Sequence, residues 1–331
     1  MNASRNIQTT PVDLSIEPVD LSIELAGVRF NNPILAASGT FGYGAEASGY
    51  CDISRLGGIV TKSVSWKPRA GNYPRRIVET ASGMLNSIGL ANVGVHVFVS
   101  EKLPFLAKFD TRIIANIAAS SVEEYRAVLE EIERNATENL VGYEINVSCP
   151  NVKDGGLSFG TSVERTRELT RALRSATNKL LIVKLTPNVT SVAPFACAVQ
   201  EEGADAVSLI NTVVGMAVDH RTMRPMLSTV TGGLSGPAVK PIALAKVYEA
   251  RKACTIPIIG IGGIMNGTDA AEFMIVGASM VQVGTAHFAN PAAGGDIAHE
   301  LEQYLATMKI ARASDIINKM TVDTTVKAQG W

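Results

Sequence analysis

The residues best able to do chemistry stand where short apolar runs give way to polar ones. In Asn146-Val-Ser-Cys-Pro-Asn151, Cys149 lies just beyond such a run, followed by a proline and a glycine-containing segment, Lys153-Asp-Gly-Gly156. A thiol in that place can serve as a nucleophile or as a general base. Its neighbours Asn146, Ser148 and Asn151 favour chemistry over inert packing, because polar groups at a strand end need a reason to be buried. Lys62 closes another apolar run and Lys184 lies inside a third. An ammonium in an apolar strand is costly without an anion or hydrogen-bond partner, so the two lysines point to an anionic ligand. For Lys184 a contact with a rim carboxylate and a Schiff-base role are the rival readings.

Gly260-Ile-Gly-Gly263 and Gly284-Thr285 end the last two apolar runs, and Gly232-Gly-Leu-Ser-Gly236-Pro237 precedes them. In barrel proteins the loops after the seventh and eighth strands often hold a phosphate on backbone N–H groups, and glycine lets the main chain come close. Asn86, Asn116, Asn146 and Asn211 recur near strand ends or in the segment Asn86-Ser-Ile-Gly-Leu90. A carboxamide is donor and acceptor without charge, which suits the amide and imide edges of a planar heterocycle. His96, His220, His287 and His299 lack metal-ligand spacing and read as structural. Cys51, Cys149, Cys197 and Cys254 form no C-x-x-C pair. No metal site or iron–sulfur cluster is therefore expected on this chain, and the thiols read as reduced ones in a cytoplasmic protein.

The elements that must position these residues repeat one pattern, a short apolar run followed by a stretch of helical period. There are eight runs: Pro33–Ser38, Gly58–Ser63, Ile113–Asn116, Tyr143–Ser148, Leu181–Thr186, Ala206–Thr212, Pro257–Gly262 and Met280–Thr285. Helices are predicted over Ser121–Arg134, Ser162–Ala176, Val192–Glu202, Pro237–Ala253 and Gly267–Val276. Near-continuous apolar strands alternating with helices favour an α/β fold of the (β/α)8 TIM barrel type, with a doubly wound open sheet as runner-up. Two connections, Lys67–Val99 and Val213–Pro237, are too long for plain loops and follow strand ends, so they read as inserted covers over the C-terminal face.

The heptapeptide PVDLSIE occurs at residues 11–17 and again at 18–24, and one copy looks redundant. The expected division is an N-terminal tail over 1–20, a barrel over 21–315 and a C-terminal tail over 316–331. With 46% hydrophobic and 18% charged residues in 331, the chain has the composition of a globular protein rather than a disordered one. A net charge of −1 and the lack of a basic run disfavour nucleic acid and anionic membrane as partners. The longest uncharged stretch, Phe273–Gly295, carries Gln282, His287 and Asn290 and reads as a buried strand with its flanks rather than a membrane span. The polar first residues carry no evident signal peptide.

Taken together, these motifs resemble the class 1B dihydroorotate dehydrogenases, from about residue 21 to 310. The likeness rests on Ala37-Ser-Gly-Thr-Phe-Gly42, Thr61-Lys-Ser63, Asn86-Ser-Ile-Gly-Leu90, Asn146-Val-Ser-Cys-Pro-Asn151, Lys184-Leu-Thr-Pro-Asn188, Ile210-Asn-Thr212, Gly232-Gly-Leu-Ser-Gly-Pro237, Gly260-Ile-Gly-Gly263 and Gly284-Thr285. The resemblance implies one FMN per chain, bound by Ser38, Lys62, Ser63, Asn116, Asn146, Lys184, Ile210, Gly236, Gly262, Gly263, Gly284 and Thr285, the last four of these around its phosphate. It implies substrate contacts from Lys62, Asn86, Ser87, Ile88, Gly89, Leu90, Asn146, Asn211 and Thr212. Cys149 matches the family's catalytic base, where the membrane-associated class 2 enzymes carry serine.

What the resemblance implies chemically is the oxidation of (S)-dihydroorotate to orotate in pyrimidine biosynthesis. Cys149 takes the C5 proton while a hydride passes from C6 to flavin N5. Electrons then go to NAD through an electron-transfer subunit carrying FAD and an iron–sulfur cluster, two catalytic chains forming a homodimer within a heterotetramer. This chain has no G-x-G-x-x-G fingerprint of its own for a dinucleotide. The rival readings are a dihydropyrimidine dehydrogenase-like flavoenzyme, a Schiff-base aldolase using Lys184, and a non-catalytic barrel that binds a phosphate ligand.

Overall fold

The computed structural model describes residues 19–148 and 159–322. A hairpin of β1 (Ile23–Leu25) and β2 (Val28–Phe30) comes first, and its Leu25 and Phe30 are buried in the main core. Eight strands then form the barrel, interrupted by two insertions. They are β3 (Ile34–Ala36) and β4 (Gly58–Val60); after an inserted pair, β5 (Ile77–Thr80) and β6 (Gly83–Asn86), come β7 (Arg112–Ile117), β8 (Leu140–Asn146), β9 (Leu180–Lys184) and β10 (Ala206–Leu209). A second insertion holds β11 (Val213–Met216), β12 (Val218–Asp219), β13 (Arg224–Pro225) and β14 (Thr231–Ser235), and β15 (Ile258–Ile261) and β16 (Met280–Val283) complete the barrel.

The barrel strands pair in the order β3, β4, β7, β8, β9, β10, β15, β16, and β16 returns to β3, every pair parallel. The chain thus closes as a (β/α)8 barrel rather than an open sheet. All eight runs read from the sequence carry a strand. Their apolar residues face either the barrel interior or the covering layer, so β3 is buried at every position, as parallel strands with both faces covered require.

Three helices start where a side-chain cap permits. Ser121 Oγ accepts from Glu124 N–H ahead of α1 (Val122–Arg134), and Ser162 Oγ accepts from Arg165 N–H ahead of α2 (Val163–Arg174). Next come α3 (Ala193–Glu201) and α4 (Lys240–Ala253). Asn266 Oδ1 accepts from Asp269 N–H ahead of α5 (Gly267–Val276). Each cap satisfies an amide the helix leaves free and contributes about 1 kcal/mol. The ring has one gap: only a single 3-10 turn, Ile53–Arg55, connects β3 to β4 on the outside. The last long helix, α6 (Ala293–Thr307), packs there against β3 and that turn.

The two long connections are not loops but one antiparallel sheet, in the order β11, β14, β6, β5. Asn86 pairs with Gly233 and Leu85 with Leu234, which joins the insertion after β4 to the insertion after β10. Val78, Leu85 and Leu227 form its own small core, and Leu234 packs against both this core and the barrel. Gly83 is required where β6 meets β14, because a Cβ there would lie 2.0 Å from the Ser235 carbonyl oxygen, and its φ is +151°.

The chain ends pack on the barrel wherever they are described. Asp20 N–H donates to Ala311 O and Ala313 N–H to Asp20 O, while Asn318 and Met320 donate to the carbonyls of Met274 and Ile275 at the end of α5. The first PVDLSIE copy lies outside the described residues, and the second leads into β1. No helix among the described residues is long and apolar enough to cross a membrane.

His287, one of the histidines read as structural, is 5% exposed and meets Phe41 edge to face, ring centroids 4.9 Å apart. Burial pushes its imidazole down to about 4. An unfolded histidine titrates near 6.5, so the neutral folded form contributes stability that is complete above that pH and lost as pH falls toward 4. The expected loss across that window is roughly 3 kcal/mol. Urea unfolding at pH 7 and pH 4.5 should show a steeper fall for the parent than for His287→Leu, and equal falls would refute the assignment.

Candidate active site

The C-terminal ends of the barrel strands bring the singled-out polar residues to one mouth, with the inserted sheet alongside. The interior of that mouth is organised by a residue that sequence reading passed over. Glu144, on β8, is fully buried, and its carboxylate accepts from Asn116 Nδ2 at 2.6 Å, Gln282 Nε2 at 2.5 Å, Ser208 Oγ at 2.8 Å and Lys184 Nζ at 3.4 Å. Five barrel strands, β7, β8, β9, β10 and β16, each contribute one member. Lys184 therefore finds its anion inside the barrel rather than at the rim. A buried carboxylate is tolerable only when paired and hydrogen-bonded on several sides, as here.

One pleat further toward the mouth, Asn146 is cross-strand neighbour to Lys184. Tyr125 on α1 donates its hydroxyl to the Asn146 carbonyl at 2.6 Å, which ties the end of β8 to the outer layer. The Asn146 side-chain oxygen accepts from Asn211 Nδ2 at 3.3 Å and from Ser148 N–H at 3.2 Å. Asn211 Oδ1 in turn accepts from Thr212 N–H. Asn188, in the motif after β9, donates to Thr212 O and accepts from Val214 N–H, steering the chain into the inserted sheet. Asn86 Nδ2 donates to Gly233 O, and Asn72 holds the following turn through Ser87 O and the Ile88 carbonyl. Asn86, Ser87, Ile88, Gly89 and Leu90 are all partly buried beside that sheet.

Lys62 follows β4, its N–H donating to Gly42 O, and Ser63 beside it is buried with its carbonyl accepting from Tyr43 Oη. Burial pushes the Lys62 ammonium below the usual lysine range, and the nearby Glu46 only partly opposes this. Among the described residues Lys62 has no ion pair, in contrast to Lys184. Ser38 lies two residues beyond β3 and is partly exposed.

The glycine-bearing strand ends also converge. Gly262 and Gly263 have φ of +129° and +74°, a left-handed course that favours glycine. A Cβ on Gly263 would lie 2.9 Å from the Gly236 carbonyl oxygen, and one on Gly262 would lie 3.3 Å from Ile210 Cγ1. Thr285 Oγ1 donates to Ser235 Oγ at 2.8 Å, joining the end of β16 to the inserted sheet beside Gly284.

Among the described residues, several polar atoms at this mouth are buried without a partner, namely Asn116 Oδ1, Gln282 Oε1, Ser148 Oγ and Ser87 Oγ. Such atoms are costly unless a ligand meets them. Uncharged donors and acceptors, two ammonium groups and a left-handed glycine pair suit a flavin mononucleotide with its planar amide-bearing ring and its phosphate. Cys149, Asn151 and Lys153–Gly156 lie outside the described residues. Their anchors are visible: Gly160 N–H donates to Val147 O at 2.9 Å, so the chain leaves β8 and returns at the same corner of the mouth.

A family model described as dihydroorotate dehydrogenase matches residues 20–305. The chain is 50% identical over 299 residues to the catalytic subunit of dihydroorotate dehydrogenase B (NAD(+)) from Geotalea daltonii, covering 90% of this chain and 97% of that one. It is 52% identical over 299 residues to the protein of the same name from Geobacter sulfurreducens, with the same coverage, 90% and 97%. The crystal structure of DHODH in complex with ferulenol from Eimeria tenella aligns with a TM-score of 0.77 over 94% of this chain and 91% of that one. At 24% identity this last likeness is one of fold. The closed barrel, the polar mouth and these similarities agree: the chain belongs to the dihydroorotate dehydrogenase family.

Proposed function

We propose that the chain is the catalytic subunit of a B-type dihydroorotate dehydrogenase, oxidising (S)-dihydroorotate to orotate in pyrimidine biosynthesis. The observation that carries this reading, beside the relatives' shared name, is Lys62. Its ammonium makes no ion pair among the described residues, with the nearby Glu46 only partly favouring its charge, and it stands at the C-terminal end of a barrel strand, as do Asn146 and Asn211, whose carboxamides suit the amide edges of a dihydropyrimidine ring. A substrate carboxylate supplies the missing anion, and the uracil class of substrate has none.

Ser38, Lys62, Ser63, Asn116, Asn146, Lys184, Ile210, Gly236, Gly262, Gly263, Gly284 and Thr285 would hold FMN, which would supply the hydride acceptor. Lys62 holds the substrate carboxylate. Asn86 and the turn through Leu90, with Asn146, Asn211 and Thr212, orient the ring by matching its amide donors and acceptors. Cys149 removes the C5 proton, made acidic by the adjacent carbonyl. The inserted sheet excludes water from one side of the mouth, which strengthens each of these polar contacts.

The relatives are named catalytic subunits, which calls for another subunit. We infer one carrying FAD and an iron–sulfur cluster that passes electrons to NAD, on a homodimer of this chain within a heterotetramer in the cytoplasm. Val214, Met216, Val218 and Met223, exposed on the second insertion, support a protein neighbour there.

The test is an anaerobic visible spectrum of the purified chain before and after L-dihydroorotate. The expected result is a flavin spectrum that bleaches. A flavin that stays oxidised with dihydroorotate but bleaches with a dihydropyrimidine favours the dihydropyrimidine reading, and a chain that takes up no FMN overturns both.

A further inference from the structure

Glu144 has no place in the chemistry above, yet it is the most heavily bonded side chain in the barrel interior. It accepts from four groups on four different strands, and it lies one pleat beneath Asn146 on the same strand. Two of its donors, Asn116 and Lys184, are residues proposed above to hold the flavin. A carboxylate that served only to fill the interior would be replaceable by apolar packing at less desolvation cost. This one is instead wired to the groups that meet the cofactor.

We propose that Glu144 is a positioning residue for the flavin, which acts through Lys184 and Asn116 to fix their orientation and to offset the Lys184 charge, so lowering the flavin's reduction potential. The idea rests on the proposed flavin site. The Lys184 side chain is 6% exposed and its Nζ lies 3.4 Å from Glu144 Oε1, close enough for the carboxylate to offset an ammonium there. Removing the carboxylate charge while keeping its shape leaves Lys184 uncompensated, and an uncompensated positive charge favours the electron-rich reduced flavin. With Glu144 in place, reduction by substrate is less favourable and onward transfer of electrons is easier.

The substitution Glu144→Gln suits the test because its surroundings can adapt. Its carboxamide oxygen can still accept from Lys184. Gln282 Oε1 is buried without a partner among the described residues, so that amide can turn and accept from the new amide group. The Ser208 hydroxyl can rotate likewise.

The experiment is a dye-equilibrated reductive titration of the FMN-loaded chain. Glu144→Gln is expected to shift the reduced-to-oxidised ratio at a fixed potential about tenfold toward reduced flavin, or about 30 mV for a two-electron couple. That is the size of effect a unit charge exerts over roughly 12 Å through an effective dielectric of about 20. Glu144→Asp keeps the charge and is expected to stay within about threefold of the parent.

If Glu144→Gln yields no folded flavoprotein, Ser208→Ala answers the question. It leaves both charges in place and strips the carboxylate of one neutral donor, so the ratio is expected to move about threefold the opposite way, toward oxidised flavin. A Glu144→Gln protein that binds FMN at the parent potential overturns the proposal, as does an unmoved Ser208→Ala when that is the variant in hand. A parent chain that binds no flavin overturns the functional reading itself, which is a separate outcome.

Discussion

Cys149→Ser is expected to slow reduction of the bound flavin by dihydroorotate by about 10²- to 10⁴-fold at neutral pH, the range associated with a positioned general base. A free thiol titrates near ~8.5, so a useful fraction is thiolate at neutral pH, whereas a serine hydroxyl is ionised only far above it. The parent rate should therefore rise with pH and level off beyond the thiol pKa, while the serine variant keeps rising. Affinity for orotate should be little changed, because the ring is held by the asparagines and Lys62. The corner that carries the segment is itself well anchored, through Tyr125 Oη to Asn146 O and Gly160 N–H to Val147 O. Anaerobic stopped-flow of flavin bleaching measures both quantities. A flat parent profile, or an undiminished serine variant, would remove Cys149 from the role.

The barrel was legible because its strands are buried on both faces and so read as apolar runs, each ending in a recognisable polar break. Ser121 and Ser162 even marked the caps at which two helices begin. The inserted sheet was not legible as strands. β11 and β14 carry Gly215, Gly232 and Gly233, and β6 runs Gly-Met-Leu-Asn, so alternation is interrupted by glycines, two of which, Gly83 and Gly232, sit where a neighbouring backbone carbonyl comes close. What remained visible was only that the connections were too long for loops. Glu144 was passed over for a related reason. In Tyr143-Glu-Ile-Asn-Val-Ser148 a single charged residue inside an apolar run looks like an exception to be tolerated. Its partners Asn116, Lys184, Ser208 and Gln282 come from strands up to 138 positions away. A signal existed in Gln282 and Ser208, equally polar and equally placed inside apolar runs, and the four together ask for a common partner. Of the two lysines that stand in or at the end of apolar runs, Lys184 meets a carboxylate inside the barrel, whereas Lys62 has no ion pair among the described residues.

That difference between the two lysines makes Lys62→Met the second large effect. Truncating one partner of a desolvated, hydrogen-bonded charge pair costs roughly 3–4 kcal/mol, so the KM for dihydroorotate and the Kd for orotate are expected to rise about 10²- to 10³-fold. The pH dependence follows from the same group. Burial lowers the Lys62 pKa, so its charge is lost on raising pH before an ordinary lysine's would be, and orotate affinity should fall in the alkaline range in the parent but not in the variant. Substrate choice discriminates further. Dihydrouracil is dihydroorotate without the carboxylate, so the parent should prefer dihydroorotate strongly and Lys62→Met should lose most of that preference, because the variant has no cation left to reward the carboxylate. If the preference survives, the carboxylate is held by other groups, and the asparagines rather than Lys62 would define the substrate. If the parent shows no preference, the unpaired ammonium serves some other anion and the dihydropyrimidine reading gains the ground that dihydroorotate loses.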